Sequence, residues 1–143
     1  MPISARKVRV AVIVFNDEGQ ILLCRQNNKP FWVLPGGTLE PDESILDCGA
    51  RELLEEVNLN VKIEHIIGIA DFLRPEYPQA VDITCYGQLV SGEFKATDEE
   101  NINDAGFFSR SEVDALDIKP DYIKPLLLKH WEKQDFPQCH YLG

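Results

Sequence analysis

A glycine turn that runs directly into an acidic helix constrains this chain more than any other stretch of it. From Gly37 to Leu59 the sequence reads GTLEPDESILDCGARELLEEVNL. Ser44 and Asp47 resemble a capping pair ahead of an apolar-periodic run, so a helix is predicted over about 44–57. On that helix Glu52, Glu55 and Glu56 stand at i, i+3 and i+4 and project from one side. At roughly 100° per residue they share an arc of about 100°. Leu46, Ala50, Leu53, Leu54 and Val57 are read as the opposite side, which packs on a core. Carboxylates held this close repel one another, and a cation must offset the repulsion. Oxygen ligands are hard and select a hard cation, so Mg²⁺ or Mn²⁺ is the natural candidate. An arbitrary Glu-rich helix more often just shows its wet face, and the neighbouring residues decide between the two readings.

Those neighbours follow a fixed spacing. From Gly37, five residues lead to Glu43 and seven more to Arg51-Glu52. Leu53, one residue, Glu55-Glu56, one residue, Asn58 and Leu59 follow. The pattern resembles the Nudix box, in which a glycine, a glutamate and an Arg-Glu-aliphatic-x-Glu-Glu-x-Gly-aliphatic run recur at these intervals. The one departure is Asn58, where the family has glycine. That position lies just past the helix, where the backbone turns left-handed, and Asn tolerates the turn best among non-glycine residues. Asn58 is therefore expected to end the helix as the glycine would. The approach Trp32-Val33-Leu34-Pro35-Gly36-Gly37 is also similar to the family's, and the resemblance is diagnostic from Trp32 to Leu59.

Element by element, the rest agrees with one domain over 1–143. The β-branched stretch 8–15 ends at Asn16-Asp17-Glu18-Gly19, and 21–25 reads as the returning strand of a hairpin. A short strand is expected at 31–34, stopping at Pro35-Gly36-Gly37. Further strands are expected near 61–70, 81–90 and 106–109, with a helical turn near 112–116. A last helix is expected over roughly 122–133, its start delayed by Pro125, with Ile123, Leu127 and Trp131 as core positions. Strands before, between and after two helices suggest an α/β fold with a mixed sheet covered on its faces. The resemblance implies an α/β/α sandwich with a central mixed β-sheet and the box as its loop-helix-loop.

The formal net charge is −10. A chain this acidic offers no basic surface to a nucleic-acid backbone or an anionic membrane, so neither is expected as partner. A free polyphosphate would be repelled too, unless divalent cations came with it. Cys24, Cys48, Cys85 and Cys139 are far apart and read as reduced, mostly packed thiols rather than a zinc site or disulfide frame. The apolar run near the N-terminus is too short for a signal or membrane segment, and a cytoplasmic protein is expected.

The resemblance implies hydrolysis of a pyrophosphate bond in a nucleoside diphosphate linked to another moiety, such as ADP-ribose, or in another small nucleotide. It implies Glu52, Glu55 and Glu56 as ligands of Mg²⁺ or Mn²⁺, with the Gly37 carbonyl completing the site. Glu56 is then the most indispensable ligand and Glu52 the acceptor of a proton from the attacking water. Arg51 is read as pointing to a different side of the helix from the acids, pairing with Glu43 or Asp47 to orient the loop. In the family the base can also come from a loop outside the box, which makes Glu100, in the run Asp98-Glu99-Glu100, a further catalytic candidate. Phe31, Trp32, Phe72, Arg74 and Tyr77 are candidates to stack on or bond the nucleotide. Pro75 and Tyr77 stand where the family marks ADP-ribose and dinucleoside polyphosphate hydrolases respectively, so they point to different substrates. Two other readings stay open: a MutT-like enzyme that cleanses the (d)NTP pool, and a nucleotide sensor without turnover. The resemblance allows a homodimer without requiring one.

Overall fold

Val8, Val10, Val12 and Val14 alternate along the first strand with Arg9, Ala11, Ile13 and Phe15. Because successive strand residues point to opposite faces, this strand meets a layer on each side. The computed structural model describes residues 6–26, 28–73, 79–96 and 102–142, apart from the side chains of residues 72, 102, 103 and 141. Its strands are β1 (Lys7–Phe15), β2 (Ile21–Gln26), β3 (Gly36–Thr38), β4 (Leu59–Phe72), β5 (Ala80–Gly92), β6 (Ile102–Phe108) and β7 (His140–Tyr141). Its helices are α1 (Ile45–Val57), α2 (Arg110–Asp114) and α3 (Ile123–His130).

The strands form one mixed sheet in the order β6-β2-β1-β5-β4-β7, with β3 paired to β1 beside that path. β1 runs parallel to β5 over Lys7↔Ala80 to Phe15↔Gln88 and antiparallel to β2 and β3. Val12, Val14, Leu22 and Cys24 pack on one face with Leu53 and Val57 of α1. Ile13, Phe15, Ile21 and Leu23 pack on the other with Val113, Ile123, Leu127 and Trp131. The expected α/β/α layering is the observed one.

Several boundaries differ from expectation. The stretch 31–34 is not a strand: only isolated bridges tie Trp32 to Ile118 and Val33 to Cys24. The extended segment begins instead at Gly36, inside the expected turn. A Cβ there would collide with the Val10 carbonyl, so glycine is what lets this segment lie against β1. The late strand starts at Ile102, earlier than expected, and Ser109 leaves it to cap α2 by accepting from the Glu112 amide. β7, only two residues long, was not foreseen. No helix among the described residues is long and apolar enough to cross a membrane.

Candidate functional site

Helix α1 begins and ends as its sequence dictates. Ser44 Oγ accepts from the Asp47 amide at 3.1 Å, and Asn58 closes the helix in the left-handed region at φ 60°, ψ 34°. The Asn58 side chain also donates to the Glu93 carbonyl at 2.9 Å, a bond glycine could not make.

The orientation between those ends was misjudged. The buried residues are Cys48, Gly49, Glu52, Leu53, Glu56 and Val57, whereas Leu46 and Leu54 are 45% and 48% exposed. Cys48, Gly49, Glu52, Leu53, Glu56 and Val57 recur at helical spacing as one inward stripe. Glu52 and Glu56 are therefore part of the packed side, at 2% and 0% exposure, and not opposite it. Glu55 stands half-buried at the margin.

The inward acids meet the glycine segment. Glu56 Oε2 accepts from the Gly36 amide at 3.1 Å. A Cβ on Gly37 would collide with the Glu52 carboxylate, so glycine there opens the space that the carboxylate fills. One segment thus holds Glu56 through its backbone and makes room for Glu52.

Arg51 ties this arrangement together. Nε and Nη2 donate to the two Glu43 oxygens at 2.5 and 3.0 Å, a two-pronged pair. Nη1 donates to Glu52 at 3.0 Å and to Glu55 at 3.1 Å, and Nη2 reaches the Thr38 carbonyl at 3.3 Å. The pairing with Glu43 is as expected; Asp47 takes no part among the described residues. The expectation that Arg51 points away from the acids does not hold, because its long five-donor fork reaches around the helix to two of them. The Arg51 hydrogen bonds hold the Glu43 carboxyl down at about 2, and Glu43 in turn raises Arg51 further above its ordinary range.

A cleft of about 520 Å³ opens over this segment, lined by Arg9, Gln26, Gly37, Thr38, Glu40 and Glu52 among others. Its size suits a small-molecule ligand. A second cleft of about 540 Å³, at Ser109, Ser111, Asp114 and Leu128, includes none of the α1 acids.

A family model described as NUDIX domain matches residues 5–128. The chain belongs to the NUDIX domain family. It is 35% identical over 89 residues to a Bacillus subtilis protein provisionally named 8-oxo-dGTP diphosphatase, a match covering 62% of this chain and 58% of that one. It is 38% identical over 85 residues to the RNA pyrophosphohydrolase of Pseudomonas fluorescens, covering 55% and 54%. The chain thus spans just over half the length of these curated relatives. Among solved structures, an ADP-ribose pyrophosphatase from Streptococcus suis superposes with a TM-score of 0.72 at 22% identity, covering 96% of this chain and 99% of that one. A UDP-X diphosphatase gives 0.76 at 21%, covering 99% and 69%. At these identities the structures speak for the Nudix fold alone.

Nudix hydrolases generally use divalent metal ions, and the residues present suit such an ion in chemistry. Glu52, Glu55 and Glu56 are hard oxygen donors, and the space beside Gly37 admits a carboxylate only because no Cβ is there. Among the described residues no three acidic, histidine or cysteine side chains already converge as a metal cage. Arg51 holds the Glu52 and Glu55 oxygens instead.

The outlying Nudix candidates are scattered. Trp32 packs edge-on to Phe108 at 4.8 Å, under the Arg25 guanidinium at 5.2 Å, and is not among the residues lining the cleft. Phe72 ends β4 opposite Ala80. Arg74, Tyr77 and Glu100 lie outside the described residues, as does Pro75. Arg9 and Gln26 line the cleft without having been foreseen. The available signal for Arg9 was a charged residue breaking the apolar alternation of β1.

Proposed function

We propose that this protein hydrolyses a pyrophosphate bond in a nucleoside diphosphate linked to another moiety, ADP-ribose or a related small nucleotide, with Mg²⁺ or Mn²⁺. The observation that carries this is the burial of Glu52 and Glu56 to 2% and 0% exposure against the glycine segment of a cleft. Burying carboxylates costs several kcal/mol apiece unless something compensates; here the Gly36 amide and Arg51 do part of that, and a bound cation would do the rest.

Glu52, Glu55 and Glu56, with the Gly37 carbonyl, would hold the ion. When bound, it neutralises phosphate oxygens and lowers the barrier to attack by water. Glu52 accepts the proton of the attacking water. Arg51, anchored by Glu43, keeps the loop in place and positions Glu52 and Glu55, which would face the ion. The Gly37 backbone must stay bare, since a side chain would displace the Glu52 carboxylate. The four free thiols suit a reducing, cytoplasmic setting.

A second reading is favoured by the Bacillus relative's name and by a Streptomyces ambofaciens relative named MutT-like, 37% identical over 62 residues. In it a noncanonical dNTP yields a monophosphate and pyrophosphate. RNA ends are a poorer fit despite the Pseudomonas relative, given a net charge of −10. A sensor without turnover would not need the full set Glu52, Glu55 and Glu56.

A product-resolved panel of ADP-ribose, UDP-sugars, dinucleoside polyphosphates, dNTPs and 8-oxo-dGTP with Mg²⁺ tests these readings. The expected result is nucleoside monophosphate release that a chelator abolishes. Tight nucleotide binding with no turnover across the panel would favour the sensor.

A further inference from the structure

The cleft borders are acidic or neutral with one exception. Glu40 and Glu52 bring negative charge, Gln26 and Thr38 none, and Arg9 is the single basic residue in the described lining. Register fixes where it sits: Arg9 lies opposite Thr38 of β3, one step from Val10 opposite Gly37. Its Cα is thereby held beside the segment that meets the α1 acids.

The head of Arg9, on the Ala11 and Ile13 face of β1, makes one loose ion pair and also acts electrostatically on Tyr122. The Arg9 side chain is 51% exposed, and its ion-pair partner among the described residues, Asp82, has Oδ1 3.9 Å from Nε. That separation is too long for a hydrogen bond, and Arg9 donates none among the described residues. Asp82, opposite Arg9 in β5, is only 15% exposed. Its Oδ1 is enclosed and accepts no hydrogen bond among the described residues. An arginine serving only as counter-ion to a buried carboxylate would gain most by closing on it with two short bonds. Arg9 instead stands off, near enough to be steadied, and it lines the cleft.

A nucleotide phosphate needs such a group. The α1 carboxylates repel phosphoryl oxygens, and Arg9 is the one basic residue in the described lining to counter that. Resting on the hydrolase reading above, we propose that Arg9 binds phosphoryl oxygens of the substrate in this cleft and that Asp82 positions it. Arg9 is a binding residue in this assignment: it sets affinity for the phosphate and takes no proton.

The 143-residue chain and its R9A, R9Q, R9K and D82N variants are compared in Mg²⁺ by steady-state kinetics on the best nucleotide of the panel. The same proteins are titrated calorimetrically with inorganic pyrophosphate. R9A and R9Q are expected to raise KM about 10- to 100-fold with kcat changed less than about threefold, and to weaken pyrophosphate by a similar factor. R9K recovers part of the loss, as a point charge without the planar fork, and D82N gives a smaller loss of the same kind. KM and pyrophosphate affinity within about twofold of wild type in folded R9A or R9Q would overturn the proposal. Melting curves identify the folded variants, and R9Q, which keeps bulk and polarity, stands in for R9A if that one fails. The titration reads Arg9 independently of turnover. Arg9-dependent pyrophosphate binding by a protein that hydrolyses nothing would sink the hydrolase reading alone; hydrolysis with Arg9-independent binding would sink this assignment alone.

Discussion

On one face of the sheet α3 buries Ile123 and Leu127 to 1% and 0% exposure. On the other, α1 buries Glu52 and Glu56 to 2% and 0% while leaving Leu46 and Leu54 almost half exposed. Both helices place residues at 3.6-residue spacing against the same strands, yet only α3 uses the spacing to bury hydrocarbon alone. Leu53 and Val57 still anchor α1 to the sheet. The two carboxylates beside them are desolvated at a cost, which the Gly36 amide and Arg51 offset in part. Where local patterning and burial disagree in this way, a site is the expected cause. α3 packs with Phe15, Trp131 and Phe136 in the core, and α1 carries the acids of the proposed site.

Substitutions can break that comparison or sharpen it. Glu56→Gln keeps the volume of an α1 acid and removes its charge. Turnover should fall by roughly two to four orders of magnitude while the melting temperature holds or rises. Parallel loss of stability and activity would make α1 a structural helix like α3. Leu127→Ala, in α3, should cost about 2–5 kcal/mol in urea unfolding, with kcat of the folded fraction unchanged.

A smaller effect is expected at Glu43, whose carboxyl is held at about 2 against an ordinary 4.5 by the Arg51 hydrogen bonds. A depressed carboxyl stabilises the fold at pH above its unfolded value and loses that contribution as pH falls through the folded one. The melting-temperature gap between wild type and Glu43→Gln should therefore be full at pH 6 and shrink between about pH 4.5 and 2. A gap that widened on acidification would contradict the pairing. Leu54→Ser, on the exposed side of α1, should change stability by no more than about 0.5 kcal/mol. A loss comparable to Leu127→Ala would mean that the outward side of α1 is covered after all.

How far the sequence reveals this division depends on the element. The caps of α1 were legible, because Ser44 and Asn58 act on backbone groups within a turn of themselves. The acids of the box were legible because Glu52, Glu55 and Glu56 stand at helical spacing. The buried side of α1 was not: Leu46 and Leu54 suggest an apolar side by composition, and only contact with the sheet shows that Leu53 and Val57 are the ones that pack. Gly36-Gly37 reads locally as a turn, and its extended course depends on close approach to Val10, which lies far back in the chain. Arg51 was expected to pair with Glu43 or Asp47, and the choice of Glu43 and the reach to Glu52 and Glu55 depend on the rotamer of a long side chain. Arg9 gained meaning only when strand pairing set it beside Thr38 and opposite Asp82.

The most direct test is a calorimetric titration of Mn²⁺, and in parallel Mg²⁺, into the wild-type chain and into the Glu52→Gln/Glu56→Gln double variant, with both shown to be folded. Saturable binding by the wild type, weakened at least about tenfold in the double variant, is expected if the inward acids hold the ion. Equal affinity in the two proteins, or no heat from either, would contradict it.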